Sequence, residues 1–233
     1  MSVALITGGS AGLGRELVLA LAEGGWTVIT DARDAPRLES VWREGVVVVP
    51  GDITDADHRA ELREEVERLG GLDLLVHNAS TLGPMRRLDE VSIPELSQVW
   101  RTNVGGPLVL TGELLDWLTA SRGVLVGISS DAGVEYYPTW GLYGASKAAL
   151  DHVVLTFAAE NPEITAYAVD PGDMRTQMHQ DAFPGEDISD RPLPATVVPH
   201  LLALLEQRPE SGRYQAADIV KDTVTDTAVE VLV

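Results

Sequence analysis

A tyrosine and a lysine stand four residues apart in Tyr143-Gly-Ala-Ser-Lys147, inside an apolar pattern of helical period. That spacing puts both side chains on one helix face, a turn apart. A free phenol titrates at about pH 10 and exchanges protons poorly at neutrality. A fixed positive charge beside it favours phenolate and draws the pKa toward the working pH. Tyr143 so placed is a candidate to pass a proton to or from a carbonyl or alcohol oxygen. The pair alone also suits an ordinary surface helix, so its meaning depends on the elements that hold it.

Those elements alternate along the chain. Short β-branched runs predict strands at Val3–Thr7, Thr27–Thr30, Val46–Pro50, Leu72–His77, Gly123–Ser129, Ile164–Val169 and Tyr214–Ile219. Helical patterns fill the gaps: Gly12–Glu23, a short one in 36–43, then Ala56–Leu69, Ile93–Ala120, Leu142–Glu160 and Ala195–Gln207. Strict alternation implies right-handed crossovers and one α/β domain over 1–233, a doubly wound parallel sheet of about seven strands with ligands at the strands' carboxyl ends. Thr7-Gly-Gly-Ser-Ala-Gly-Leu-Gly14 fills the first strand-to-helix turn. Glycines there let the backbone approach a phosphate, which rests on free N–H groups at the positive end of the helix dipole, and a dinucleotide is the expected ligand. The connection 171–194 exceeds the usual loop length and reads as a lid.

Composition narrows the partners. The 233 residues carry a net charge of −19, which disfavours nucleic acid and anionic membranes through repulsion. No cysteine is present, so thiolate chemistry and disulfides are out, and the five histidines show no metal-ligand spacing. No signal-peptide pattern or span-length apolar run occurs, and the expectation is a soluble cytoplasmic protein.

Taken together, Thr7-Gly8-x-x-x-Gly12-x-Gly14 and Tyr143-x-x-x-Lys147 resemble the short-chain dehydrogenase/reductase family over nearly the whole chain, with further motifs in the expected order. The resemblance implies a nicotinamide-dependent reduction of a ketone, or its reverse. Tyr143 would be the general acid or base, and Lys147 would lower its pKa and hold the nicotinamide ribose. Ser130, thirteen residues before Tyr143, would hydrogen-bond the carbonyl oxygen, and Asn103 would anchor a water in a proton relay. Cofactor contacts would come from Gly8, Ser10, Gly12, Leu13 and Gly14, from Asp52 and Ile53 after the third strand, and from Asn78 and Ala79. Pro171, Gly172, Met174 and Thr176 would border the nicotinamide. Ser80 stands where the family has glycine and is expected to narrow the site. The C-terminal stretch lacks the family's Asp-Gly-Gly, and the tail 220–233 is open to an edge strand or an oligomer contact.

At the end of the second strand the family's NAD-selecting acid falls on Ala32 and its phosphate-binding arginine on Arg33. That favours NADP(H), while the adjacent Asp31 leaves NAD(H) open. Of 5 Trp, 5 Tyr and 2 Phe, four lie at Tyr136, Tyr137, Trp140 and Tyr143. With Met178 and Phe183 from the lid they predict a pocket for a bulky, apolar or cyclic carbonyl substrate. His179 reads as a solvated lid residue. The apolar surplus on the two long helices (Leu96, Val99, Leu110, Leu114, Leu115, Leu150, Val153, Val154, Phe157) predicts a homodimer or homotetramer. A second reading is a non-catalytic dinucleotide sensor on the same fold, which has no physical need for Asn103, Ser130, Tyr143 and Lys147 together.

Overall fold

The computed structural model describes residues 2–220, so any role for the tail 220–233 lies almost wholly outside the described residues. Seven parallel strands, β1 (Val3–Ile6), β2 (Thr27–Ala32), β3 (Val46–Pro50), β4 (Leu74–His77), β5 (Val124–Ile128), β6 (Thr165–Asp170) and β7 (Gly212–Gln215), pair in the order β3-β2-β1-β4-β5-β6-β7. The order reverses between β1 and β4, which opens a crevice at their carboxyl ends. Alternation along each strand sends successive side chains to opposite faces. Ala4, Ile6, Val28, Leu74, Val76 and Val126 pack beneath α1 (Gly12–Glu23) and α8 (Val198–Gln207). Val3, Leu5, Ile29, Leu75 and Leu125 meet α3 (Ala56–Leu69), α5 (Gly106–Ser121) and α6 (Gly141–Glu160) on the other face.

The helix expected at 93–120 is broken. α4 (Ile93–Trp100) starts at a Ser92/Glu95 capping box, a π stretch Arg101–Gly105 follows, and α5 restarts with Pro107 in its first turn. Proline has no N–H to give to the preceding turn but suits a helix start, which explains the break at that place. The short helix α2 (Ala35–Glu39) ends four residues before the expected limit, and Pro199 delays α8 to Val198. β7 begins at Gly212, not Tyr214, because Tyr167 to Asp170 of β6 pair with Gly212 to Gln215, and the chain then turns through Ala216–Asp218. The connection 171–194 is not featureless: Thr176 Oγ1 accepts the His179 N–H at 3.1 Å and starts a short helix α7 (Gln177–Ala182).

Candidate active site

The first turn of the site is built by hydroxyls and carboxylates that fix backbone. Thr7 Oγ1 accepts the N–H groups of Asn78 and Ala79, each at 3.1 Å, and Asn78 Nδ2 donates to the carbonyls of Thr7 and Gly8. Gly8 takes a φ of 73°, and its N–H donates to Asp31 Oδ1 at 2.9 Å. The other Asp31 oxygen lies 3.0 Å from His58 Nε2. Burial works against a charged His58, yet the hydrogen bond and charge of Asp31, with Glu61 beyond, raise its pKa. Asp31 is therefore held at 2% exposure by the glycine turn and a histidine, at the border of the same cavity that Arg33 lines.

Ser10, Gly12 and Leu13 face one cavity of about 850 Å³, and Gly8 joins them. Helix α1 opens there at Ala11 with no side-chain cap and no acid in its first turn, so its leading N–H groups point their partial positive charge into open space. Such a cradle suits an anionic diphosphate. Gly14 does not reach the cavity. A Cβ on it would lie 2.3 Å from Asn78 Nδ2 and 2.6 Å from the Gly8 carbonyl, so its glycine serves the packing of α1 on the β4 turn.

Arg33 and Asp52 border the same cavity, with Ile53 beside them, and Arg37 from α2 joins them. Arg33 makes no hydrogen bond or ion pair among the described residues other than its electrostatic effect on Asp52. Burial disfavours the Asp52 carboxylate, but hydrogen bonds from Thr54 and the charges of Arg33 and Arg101 hold its pKa below the usual range. The sequence reading missed Arg37; its signal was an arginine one helical turn beyond Arg33 at the start of α2.

At the other end of the cavity α6 presents Tyr143 and Lys147, 7% and 2% exposed, with Lys147 Nζ 5.5 Å from the Tyr143 ring centroid. Lys147 Nζ donates to the Ile128 carbonyl at 2.7 Å. Burial depresses its pKa to about 8, opposed by the charge of Asp151. The expected lowering of the Tyr143 pKa by Lys147 is not what the chain alone provides. Burial dominates and pushes the phenol above its ordinary value, with Asp131 and Asp170 adding to the rise, while the hydroxyls of Ser130 and Ser80 oppose it.

Ser130 lies two residues past the end of β5, and its hydroxyl both caps the turn Asp131–Gly133 and lies 3.0 Å from Asp131 Oδ1. Behind it, Arg213 reaches back from β7 to the Ser130 carbonyl at 2.9 Å, to Asp151 Oδ2 at 3.2 Å and to Asp170 Oδ2 at 3.4 Å. Asp151 also accepts the Ser129 hydroxyl at 2.8 Å, and its pKa is raised by burial in spite of these partners. No local pattern marks Arg213, since its place follows from the β6 to β7 register. Asn103 is buried but does not line the cavity. Its Nδ2 donates to the Thr81 carbonyl and Ser146 Oγ, each at 2.9 Å, and Oδ1 accepts the Thr81 N–H at 2.9 Å. Both side-chain N–H groups are thereby used on protein, which leaves a water relay no donor from this side chain.

Pro171, Gly172, Met174 and Thr176 lie along the cavity where β6 ends, and Asn78 and Ala79 face them from β4. Tyr137, Trp140, Met178 and Phe183 close the remaining side. Trp140 packs edge-on against Tyr143 with centroids 6.0 Å apart and meets Phe183 at 5.7 Å, so the connection 171–194 and α6 share one aromatic wall. Tyr136 departs from this group and is 96% exposed. His179 is not solvated: its ring lies against Phe183 at 4.8 Å, and Nε2 is buried without a hydrogen-bond partner. Among the described residues no cluster could hold a metal ion, and no helix is long and apolar enough to cross a membrane.

A model of the short chain dehydrogenase family matches residues 2–187. The chain belongs to that family, and the parallel sheet with its crevice between β1 and β4 is the family's Rossmann-type architecture. An oxidoreductase of Saccharomyces cerevisiae is 35% identical over 182 residues, 76% of this chain and 72% of the relative. The benzil reductase, (S)-benzoin forming, of the same yeast is 34% identical over 194 residues, 77% of this chain and 74% of the relative. Among solved structures, a short chain dehydrogenase of Shigella flexneri complexed with NADP superposes with a TM-score of 0.87 at 29% identity, covering 93% of this chain and 97% of that one.

Proposed function

We propose that this oxidoreductase reduces the ketone of a bulky, apolar or cyclic metabolite with NADP(H), and that Tyr143 supplies the proton. The observation that carries the reading is the one cavity joining an uncapped helix terminus and two exposed arginines at one end to Tyr143, Lys147 and Ser130 at the other. A structural neighbour's complex with NADP supports the cofactor assignment. So does the commitment of Asp31 to Gly8 and His58, which gives each oxygen of that acid a partner within the protein. Arg33 and Arg37 supply the positive pair for a 2′-phosphate.

The bound nicotinamide would supply the hydride, or accept it in the reverse direction. A phenol pushed up by burial is protonated at neutral pH, and that is the form reduction consumes. Ser130 would hold the carbonyl oxygen toward Tyr143, and Lys147, charged below about pH 8, would donate to the ribose and stabilise the phenolate left after proton transfer. Asn103 serves as a brace that fixes Thr81 and the wall before it. The aromatic wall of Trp140 and Phe183 takes the flat side of the substrate, in keeping with a relative that acts on benzil. The lid over 171–194 covers it.

A panel of small polar, acyclic apolar and polycyclic ketones, followed by NADPH absorbance, tests the reading. Rates should rise with apolar ring size and Trp140→Ala should flatten that preference. NADPH should bind more tightly than NADH, and Arg33→Ala should weaken NADPH on the order of tenfold, with NADH unchanged. Preference for the small polar class, or tighter NADH, would refute the assignment it concerns.

A further inference from the structure

Arg213 and its two carboxylate partners take no part in the mechanism above. The arginine comes from β7, where it pairs with Ala168 of β6 in the last position of the sheet. Its Nη2 donates to the Ser130 carbonyl at 2.9 Å and lies 3.4 Å from Asp170 Oδ2, while Nε lies 3.2 Å from Asp151 Oδ2. One guanidinium thus meets three acceptors on three elements: the segment after β5, the last residue of β6, and α6 one turn beyond Lys147. A planar fork can hold several acceptors in fixed directions, which the point charge of a lysine cannot.

Each acceptor belongs to a working part of the site. Ser130 would hydrogen-bond the substrate carbonyl. Asp170 Oδ1 accepts the Gly172 N–H at 3.0 Å, in the segment that would border the nicotinamide. Asp151 accepts the Ser129 hydroxyl at 2.8 Å, and its charge supports the Lys147 ammonium against burial. Asp151 and Asp170 are 8% and 5% exposed, and carboxylates buried to that degree need cations beside them. Arg213 and Lys147 supply one positive charge for each. Burial, then the charges of Asp131 and Asp170, already raise the Tyr143 phenol, so without Arg213 an uncompensated carboxylate would face the group that reduction leaves as phenolate.

We propose that Arg213 is a positioning residue for ketone reduction, whose fork fixes the Ser130 backbone against α6 and β6 and whose charge offsets the two carboxylates behind the reacting oxygen. In the step, hydride bonds to the carbonyl carbon, the C=O π pair moves onto oxygen, and Tyr143 gives that oxygen its proton. Arg213 exchanges no proton and acts through Ser130 and the carboxylates. Negative charge is largest in the transition state, so the loss of Arg213 falls on kcat and spares cofactor binding. The proposal rests on the ketone-reductase reading.

Steady-state kinetics of the full chain with NADPH and benzil, wild type against Arg213→Ala and Arg213→Lys, tests it. Arg213→Ala should lower kcat by at least roughly tenfold with the NADPH Kd within about twofold, which also shows that the variant folds. The Arg213 side chain is 23% exposed, so added guanidinium can enter the space it leaves. Millimolar guanidinium chloride should raise kcat of Arg213→Ala by at least roughly threefold and leave wild type unchanged. Arg213→Lys keeps the charge and loses the fork, so its kcat should fall between the other two with the NADPH Kd held; this variant decides the matter if Arg213→Ala does not fold. An arginine that only ties β7 to the sheet would shift denaturant melts and spare kcat. Wild-type kcat in either variant, a parallel loss of NADPH affinity, or a deficit in Arg213→Ala that guanidinium does not relieve overturns the proposal while leaving ketone reduction intact. A wild-type protein that reduces no ketone overturns the ketone reading, and this proposal with it.

Discussion

At the residue scale, the site is governed by what burial does to two ionisable groups. Burial raises the Tyr143 phenol and depresses the Lys147 ammonium to about 8, so at neutral pH the pair stands as phenol and ammonium. The sign of the pH effect follows. Below about pH 8 Lys147 is charged and can donate to a ribose; above it the amine is neutral and that contribution is lost. The NADPH Kd should therefore be constant from pH 6 to about 8 and rise above it, up to roughly tenfold per pH unit, until the lysine titrates in the complex as well. Lys147→Met should weaken binding and remove the dependence. A flat wild-type Kd through about pH 9.5 would contradict the assignment. Tyr143, Lys147 and Ser130 were legible from spacing because helix period and strand end fix where such side chains go. The Lys147 bond to Ile128 and the capture of Asp31 by Gly8 were not, since both depend on how α6 and β1 meet distant strands.

At the element scale, the glycine turn was legible as a ligand cradle, yet its glycines do different work. Gly8 accepts a φ of 73° and Gly14 lets α1 approach the Asn78 side chain. Gly14→Ala would drive a methyl into an amide that is tied to Thr7 and Gly8, so relief by rotation is blocked. The expected loss is about 1–3 kcal/mol in denaturant melts, together with weaker NADPH binding. A neutral Gly14→Ala would show that the turn yields easily. The π stretch before Pro107 had a sequence signal in that proline, whereas the burial of His179 had none. It comes from the way the connection 171–194 folds, through Thr176 capping and the Arg175 N–H on the Pro192 carbonyl at 2.8 Å, and the second of these contacts no period or propensity encodes.

At the scale of the whole molecule, most of the apolar positions expected to seek a second subunit are absorbed by the chain's own core. Val99, Leu110, Leu114, Leu150 and Val154 are buried, and Leu115 and Phe157 pack against the same core. The surplus lies elsewhere on the same helices: Ile93, Leu96 and Trp100 form a stripe along α4 at 76, 40 and 39% exposure, and Leu108 and Val109 open α5 at 46 and 41%. Five large exposed side chains on consecutive helices are of the kind that isologous dimers bury. A dimer or larger assembly is expected by light scattering at micromolar protein, and Trp100→Glu with Leu108→Glu should yield monomers. A monomeric wild type would refute this.

The central claim is that one tyrosine in this cavity delivers a proton to a ketone. Following NADPH consumption with a bulky aryl diketone such as benzil, Tyr143→Phe should lose at least roughly 10²-fold in kcat while its NADPH Kd is retained. Equal turnover by wild type and Tyr143→Phe would contradict the account.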